Sequence, residues 1–189
     1  MPAIRSIVAA TDLSAPARHA ADRAARLAQQ AGASLALVHA VSGSALDQLR
    51  RLVGAQDELP RTLLDDSRQR LHELAASLAQ RYDVRVEDEV AVGASVEEII
   101  RMAGARNAEL IVTGTRGSAF VRTHLVGSTA ERIVKRSGTP VLMVRQAAHE
   151  PYRRVLVPVD FSGWRLGLPE ATLRRLEGPS VGSRVTGLR

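Results

Sequence analysis

The 189-residue chain contains no cysteine, which excludes disulfides, thiolate metal sites and cysteine nucleophiles at the outset. Aromatic residues are nearly as scarce: one Trp, two Tyr and two Phe make up 3% of a sequence that is 45% hydrophobic. A core so short of rings must be built from Ala, Leu, Val and Ile, which suits helices layered on a parallel sheet. The rings that could stack on bases are missing as well, so specific nucleic-acid binding is not expected. The formal charge of +6 does not restore it, because seven Arg against three acids over residues 151–189 account for +4, leaving the first 150 residues nearly balanced. Long apolar runs are also lacking. Nothing approaches the ~20 residues needed to span a bilayer, and MPAIRSIVAATD enters a strand pattern at once rather than a basic and then apolar leader. A cytoplasmic protein with no membrane partner is expected.

What the chain does have is a strict alternation of short apolar runs with longer amphipathic ones, the signature of βαβ units. Strands are predicted over Ile4 to Thr11, Ser34 to Val41, Val84 to Val92, Leu110 to Thr113 and Pro140 to Val144. The third alternates Val84 and Val86 with Arg85 and Glu87, as a half-exposed edge strand would. Helices are predicted over Ser14 to Gln30, with Ser14 as N-cap, Pro16 in the first turn and Gly32 closing it. Further helices fall at about Leu46 to Leu52, Pro60 to Tyr82, Ser95 to Arg106 and Ser128 to Arg136. Ser95 with Glu98, and Ser128 with Glu131, have the spacing of capping boxes. With right-handed crossovers, five such strands make a doubly wound α/β fold: a five-stranded parallel sheet with helices on both faces.

In a doubly wound sheet, ligands bind beyond the carboxyl ends of the strands where successive connections leave on opposite faces. Two segments fall there if the first and fourth strands are central: Ala10-Thr11-Asp12-Leu13-Ser14 and GTRGSAFVRTHLVGST, residues 114–129. Glycines at 114 and 117 are expected to allow positive φ and close backbone approach to a ligand. Gly127-Ser128 then opens a helix, whose unpaired N–H groups and partial positive charge suit an anion, most naturally phosphate. The pattern is neither GxxxxGK[ST] nor GxGxxG, so P-loop hydrolysis and hydride transfer lose motif support.

The spacing G-x2-G-x9-G-[ST] at Gly114, Gly117, Gly127 and Ser128 resembles the ATP-binding members of the universal stress protein family. The likeness extends to the Thr11-Asp12-x-Ser14 turn and to the strand Pro140-Val141-Leu142-Met143-Val144, covering residues 3 to 146. It implies sheet order 3-2-1-4-5, ATP as ligand, with magnesium on its phosphates, and dimerisation along the fifth-strand edge, Val141 to Val144. By position, Ala10 and Ala40 would line the adenine pocket. Thr11 and Asp12 would lie at the ribose, Asp12 also reaching a phosphate-bound metal, with Thr113 and Gly114 beside them. Arg116, Gly117, Gly127, Ser128 and Thr129 would face the phosphates. Ala10 and Ala40 depart from the family's commoner Pro and bulkier Val, which loosens the contact with the base.

Each of these residues also has a plainer reading. Asp12 could organise the turn before the first helix through its side-chain oxygen, Ser128 could only cap, and Arg116 could be a solvated loop residue. His39 at a strand end reads as structural, and His124 has no identifiable carboxylate to orient it for acid–base work. Function is accordingly read as a regulatory, nucleotide-binding stress-response module with no catalytic residue assigned. The alternatives are a nucleotide-free interaction protein of the same fold and a slow ATPase.

An internal repeat completes the picture: Arg5-Ser6-Ile7-Val8-Ala9-Ala10-Thr11-Asp12-Leu13-Ser14 returns at a constant offset as Arg153-Arg154-Val155-Leu156-Val157-Pro158-Val159-Asp160-Phe161-Ser162. Nothing after Ser162 continues it. Residues 1–147 are expected to form the nucleotide-binding domain, and 148–189 an incomplete second repeat with a strand at 153–160 and an irregular tail.

Overall fold

A computed structural model of the chain describes residues 4–53, 58–115, 127–147, 150 and 152. The expected second repeat and its strand at 153–160 lie outside these. Five strands form one parallel sheet: β1 (Ser6–Ala10), β2 (Ser34–Val41), β3 (Val86–Val92), β4 (Leu110–Gly114) and β5 (Val141–Val144), in the order β3-β2-β1-β4-β5. Ala10 pairs with Val38 on one side and Thr113 on the other, so β1 and β4 are the central pair. The helices are α1 (Ala15–Ala31), α2 (Gly43–Val53), α3 (Leu59–Tyr82), α4 (Ser95–Ala105) and α5 (Ser128–Arg136).

The two faces carry separate cores. On one, Ile7, Ala9, Leu35, Leu37 and Val112 pack beneath α1 and α3; on the other, Val8, Val38 and Ile111 meet α4 and Ile133 of α5. Alternate strand residues face opposite layers, and both layers are apolar, which is why the strands read as continuous runs. Helix α1 approaches closely because its inner face is alanine: Ala17, Ala20, Ala21, Ala24, Ala25 and Ala28 are all buried. Few rings are needed when the helix itself comes down to fill the space. Gly32 ends α1 with φ +65°, and the Ala33 amide donates to the Ala28 carbonyl at 2.9 Å, the closure that a left-handed residue permits.

β3 is an edge strand, as its alternation predicts, and it exposes Glu87 and Asp88. The opposite edge, β5, is apolar, with Met143 exposed and Val134 of α5 exposed nearby.

Two expected caps are displaced by one residue. Ala94, not Ser95, precedes α4, and the helix start has no side-chain cap bond; Gly127, not Ser128, precedes α5, again without one. The acids of the supposed boxes are used otherwise. Glu98 lies over Gly93, where a Cβ would come within 2.8 Å of its Cγ, and pairs with Arg101 at 2.8 Å. Glu131 pairs with Lys135 at 2.6 Å. In both cases the preceding extended residue already supplies the first helical carbonyl, to Glu98 N at 3.0 Å and Glu131 N at 3.1 Å.

Candidate functional site

The crevice forms where β1 and β4 end side by side and their chains leave in opposite directions, β1 into α1 on one face and β4 toward α5 on the other. Ala10 and Thr11 are buried at its floor, beside buried Thr113. Gly114 and Ala40 are half-buried, as is Asp12, while Ser128 and Thr129 are exposed at the start of α5. The structure therefore gathers Ala10, Thr11, Asp12, Ala40, Thr113, Gly114, Gly127, Ser128 and Thr129 at the carboxyl end of the sheet. Arg116, Gly117 and His124 lie outside the described residues.

The first segment is a tightly bonded turn. The Thr11 amide donates to the Val38 carbonyl at 2.9 Å, extending the ladder one step past β1. Leu13 then takes φ +62°, a left-handed conformation costing a leucine roughly 1–2 kcal/mol. Three contacts hold it there: Leu13 N donates to Thr11 Oγ1 at 3.0 Å, and Ser14 N and Oγ both donate to Asp12 Oδ1, at 3.1 and 2.5 Å. Ser14 Oγ in turn accepts from Ala17 N at 3.3 Å, so Ser14 caps α1 as expected. Asp12 thus does organise the turn, through Oδ1. The turn starts α1 at the end of β1, with the Asp12 carboxylate bonded to its Ser14 cap.

The second segment is closed at its neck. The Thr115 amide donates to Val144 O at 3.0 Å, and the Gly127 amide donates to Thr115 O at 2.8 Å. However residues 116–126 run, α5 begins directly beside the end of β4. Gly114 does not adopt positive φ, and Gly127 sits at φ −62°, ψ 143°. The freedom to take positive φ is not used at 114: what glycine offers at 114 and 127 is a bare backbone, not an unusual dihedral.

One residue read as merely structural comes into the site. His39, at the carboxyl end of β2, places Nδ1 2.8 Å from the Thr11 carbonyl oxygen. Its position just before Ala40 was visible in sequence; its partner was not.

Other concave surfaces do not compete. A groove of about 520 Å³ beside β3 is lined by Arg68, His72 and Asp88, is broadly open, and contains a His72–Asp88 ion pair at 3.2 Å. A smaller one of about 200 Å³ lies at the amino ends of the strands, by Ser6, Ser34 and Arg106. Among the described residues no three of His, Asp and Glu cluster as metal ligands, and no helix is long and apolar enough to cross a membrane.

Comparison with known proteins bears on this geometry. Residues 3–145 match the model of the universal stress protein family. A universal stress protein of Methanocaldococcus jannaschii is 30% identical over 146 residues, spanning 77% of this chain and 85% of that protein. Among solved structures, the universal stress protein UspA of Lactobacillus plantarum superposes with a TM-score of 0.66 at 23% identity, covering 76% of this chain and 99% of that one. A universal stress protein solved in complex with cAMP superposes at 0.56 with 25% identity, covering 76% and 98%.

Proposed function

Since this chain belongs to the universal stress protein family, we propose that it binds an adenine nucleotide, ATP, between the ends of β1 and β4 and acts as a nucleotide-responsive regulatory module. The observation that carries this reading is the start of α5, which no side chain caps and which the Gly127–Thr115 bond holds against the end of β4 at the crevice. Such a terminus presents unpaired N–H groups and partial positive charge to an anion. A relative solved with cAMP supports the choice of an adenine nucleotide.

In this reading Ala10 and Ala40 flank the base, Thr11, Asp12, Thr113 and Gly114 the ribose, and Gly127, Ser128 and Thr129 the phosphates, with Arg116 and Gly117 on the loop between. Magnesium would arrive with the phosphates and meet Asp12. The role is binding and reporting rather than turnover, in the cytoplasm, where ATP is abundant. The report passes through a dimer along β5, whose apolar edge offers Met143 and the adjacent Val134.

Gly127→Val tests the cradle cleanly. Valine is comfortable at φ −62°, ψ 143°, so the fold should survive while the added side chain crowds the phosphates. Calorimetry with ATP and magnesium should show at least a roughly tenfold loss, about 1.4 kcal/mol; identical heats for both proteins would remove the proposal. For the dimer, Met143→Glu should shift sedimentation from two copies toward one, and an unchanged profile would place the interface elsewhere.

A further inference from the structure

We infer that His39 is a positioning residue of the site: its imidazole sets the Thr11 carbonyl and thereby the attitude of Asp12. The contact is between Nδ1 and Thr11 O, 2.8 Å apart, with the ring half-buried at the end of β2. A carbonyl only accepts, so the ring carries its proton on Nδ1. Both the neutral Nδ1–H tautomer and the imidazolium meet that requirement.

The place of the contact gives it leverage. A parallel ladder continued one step would bring the next amide of β2 to this oxygen, but β1 ends at Ala10 and the chain turns away into left-handed Leu13. The ring supplies a donor there, on the peptide linking Thr11 to Asp12. That peptide is followed by the two side-chain closures of the turn, Leu13 N to Thr11 Oγ1 and Ser14 N to Asp12 Oδ1. A donor on the peptide's oxygen fixes its plane, and the plane fixes where the Asp12 carboxylate starts. Without it the strained Leu13 conformation is free to relax, and the aspartate and the α1 N-terminus tilt with it.

Consequences for affinity rest on the adenine-nucleotide reading; those for the turn do not, and the test keeps them apart. The asparagine amide nitrogen occupies nearly the place of Nδ1, whereas the glutamine amide nitrogen occupies that of Nε2. His39→Ala and His39→Gln should therefore weaken binding of ATP with magnesium by about tenfold, and His39→Asn should recover most of it. Amide hydrogen exchange, measured without nucleotide, should show faster exchange of Leu13 and Ser14 in the Ala and Gln variants and near-native protection in Asn. If the native protein binds no ATP, the nucleotide reading falls, and the exchange pattern alone decides the inference. Equal exchange at Leu13 and Ser14 in all four proteins, or Asn behaving as Ala does in both measurements, would overturn it.

Discussion

Two serines in similar sequence settings do different work. Ser14 Oγ accepts from Ala17 N and donates to Asp12 Oδ1, so Ser14→Ala should cost about 1 kcal/mol of stability, the usual worth of a cap. Ser128 stands one place inside its helix, exposed, behind a Gly127 N-cap. Ser128→Ala should therefore leave thermal unfolding within about 0.5 kcal/mol of native yet weaken ATP binding. Thermal melts of the two variants side by side check the contrast; equal destabilisation would return Ser128 to a capping role. The sequence marked both as caps, because a Ser ahead of a helical stripe, even with Glu131 three residues after Ser128, specifies hydrogen-bonding capacity, not the residue at which the chain enters helical dihedrals. The same limit applies to the glycines. Their spacing marked the crevice, but the left-handed residue there is Leu13, where nothing in the residue type announces it.

At the scale of elements, helical and strand periodicity located the five strands and five helices of the described residues, since each has one apolar face or two. Boundaries moved where a hydrogen bond outlasts the regular dihedrals, as at Thr11, or where a chain end packs without pairing, as at Ile4 and Val84. Contacts between elements were less legible, because ion pairs far apart in sequence leave no periodic trace. Helices α4 and α5 are joined by Glu97 and Arg136. The hydrogen bond from Arg136 holds the Glu97 carboxyl below its ordinary 4.5, helped by its own backbone amide. A carboxyl whose value falls on folding stabilises the native state above its unfolded value and loses that contribution as pH drops through the folded one. Glu97→Gln should thus melt lower than native near neutral pH, with the difference shrinking in acid below about 4.5. Parallel melting curves that keep a constant gap down to low pH would assign the effect to packing.

For the molecule as a whole, the chain leaving β5 is fastened to α1. Buried Arg23 donates through Nη1 to the Glu150 carbonyl at 2.7 Å and lies 4.2 Å from the centre of the Tyr152 ring. A double-mutant cycle of Arg23→Ala and Tyr152→Ala should yield a coupling of about 0.5–1 kcal/mol in unfolding free energy; simple additivity would mean the ring merely lies nearby. Layering was readable because alternation and right-handed crossovers leave few arrangements, and the strand order followed from the family resemblance, whereas this clasp joins residues well over a hundred positions apart with no pattern between them.

The two borders of the sheet differ in a way that bears on stoichiometry. β3 presents Glu87 and Asp88, which repel a like strand, while β5 is apolar. In the proposed dimer, self-association through β5 therefore has a valence of one. Two copies related by a twofold axis exhaust it, and the opposite border cannot carry the pairing onward into a fibre. Neutralising both, as Glu87→Gln and Asp88→Asn, would take away that stop rather than any part of the site.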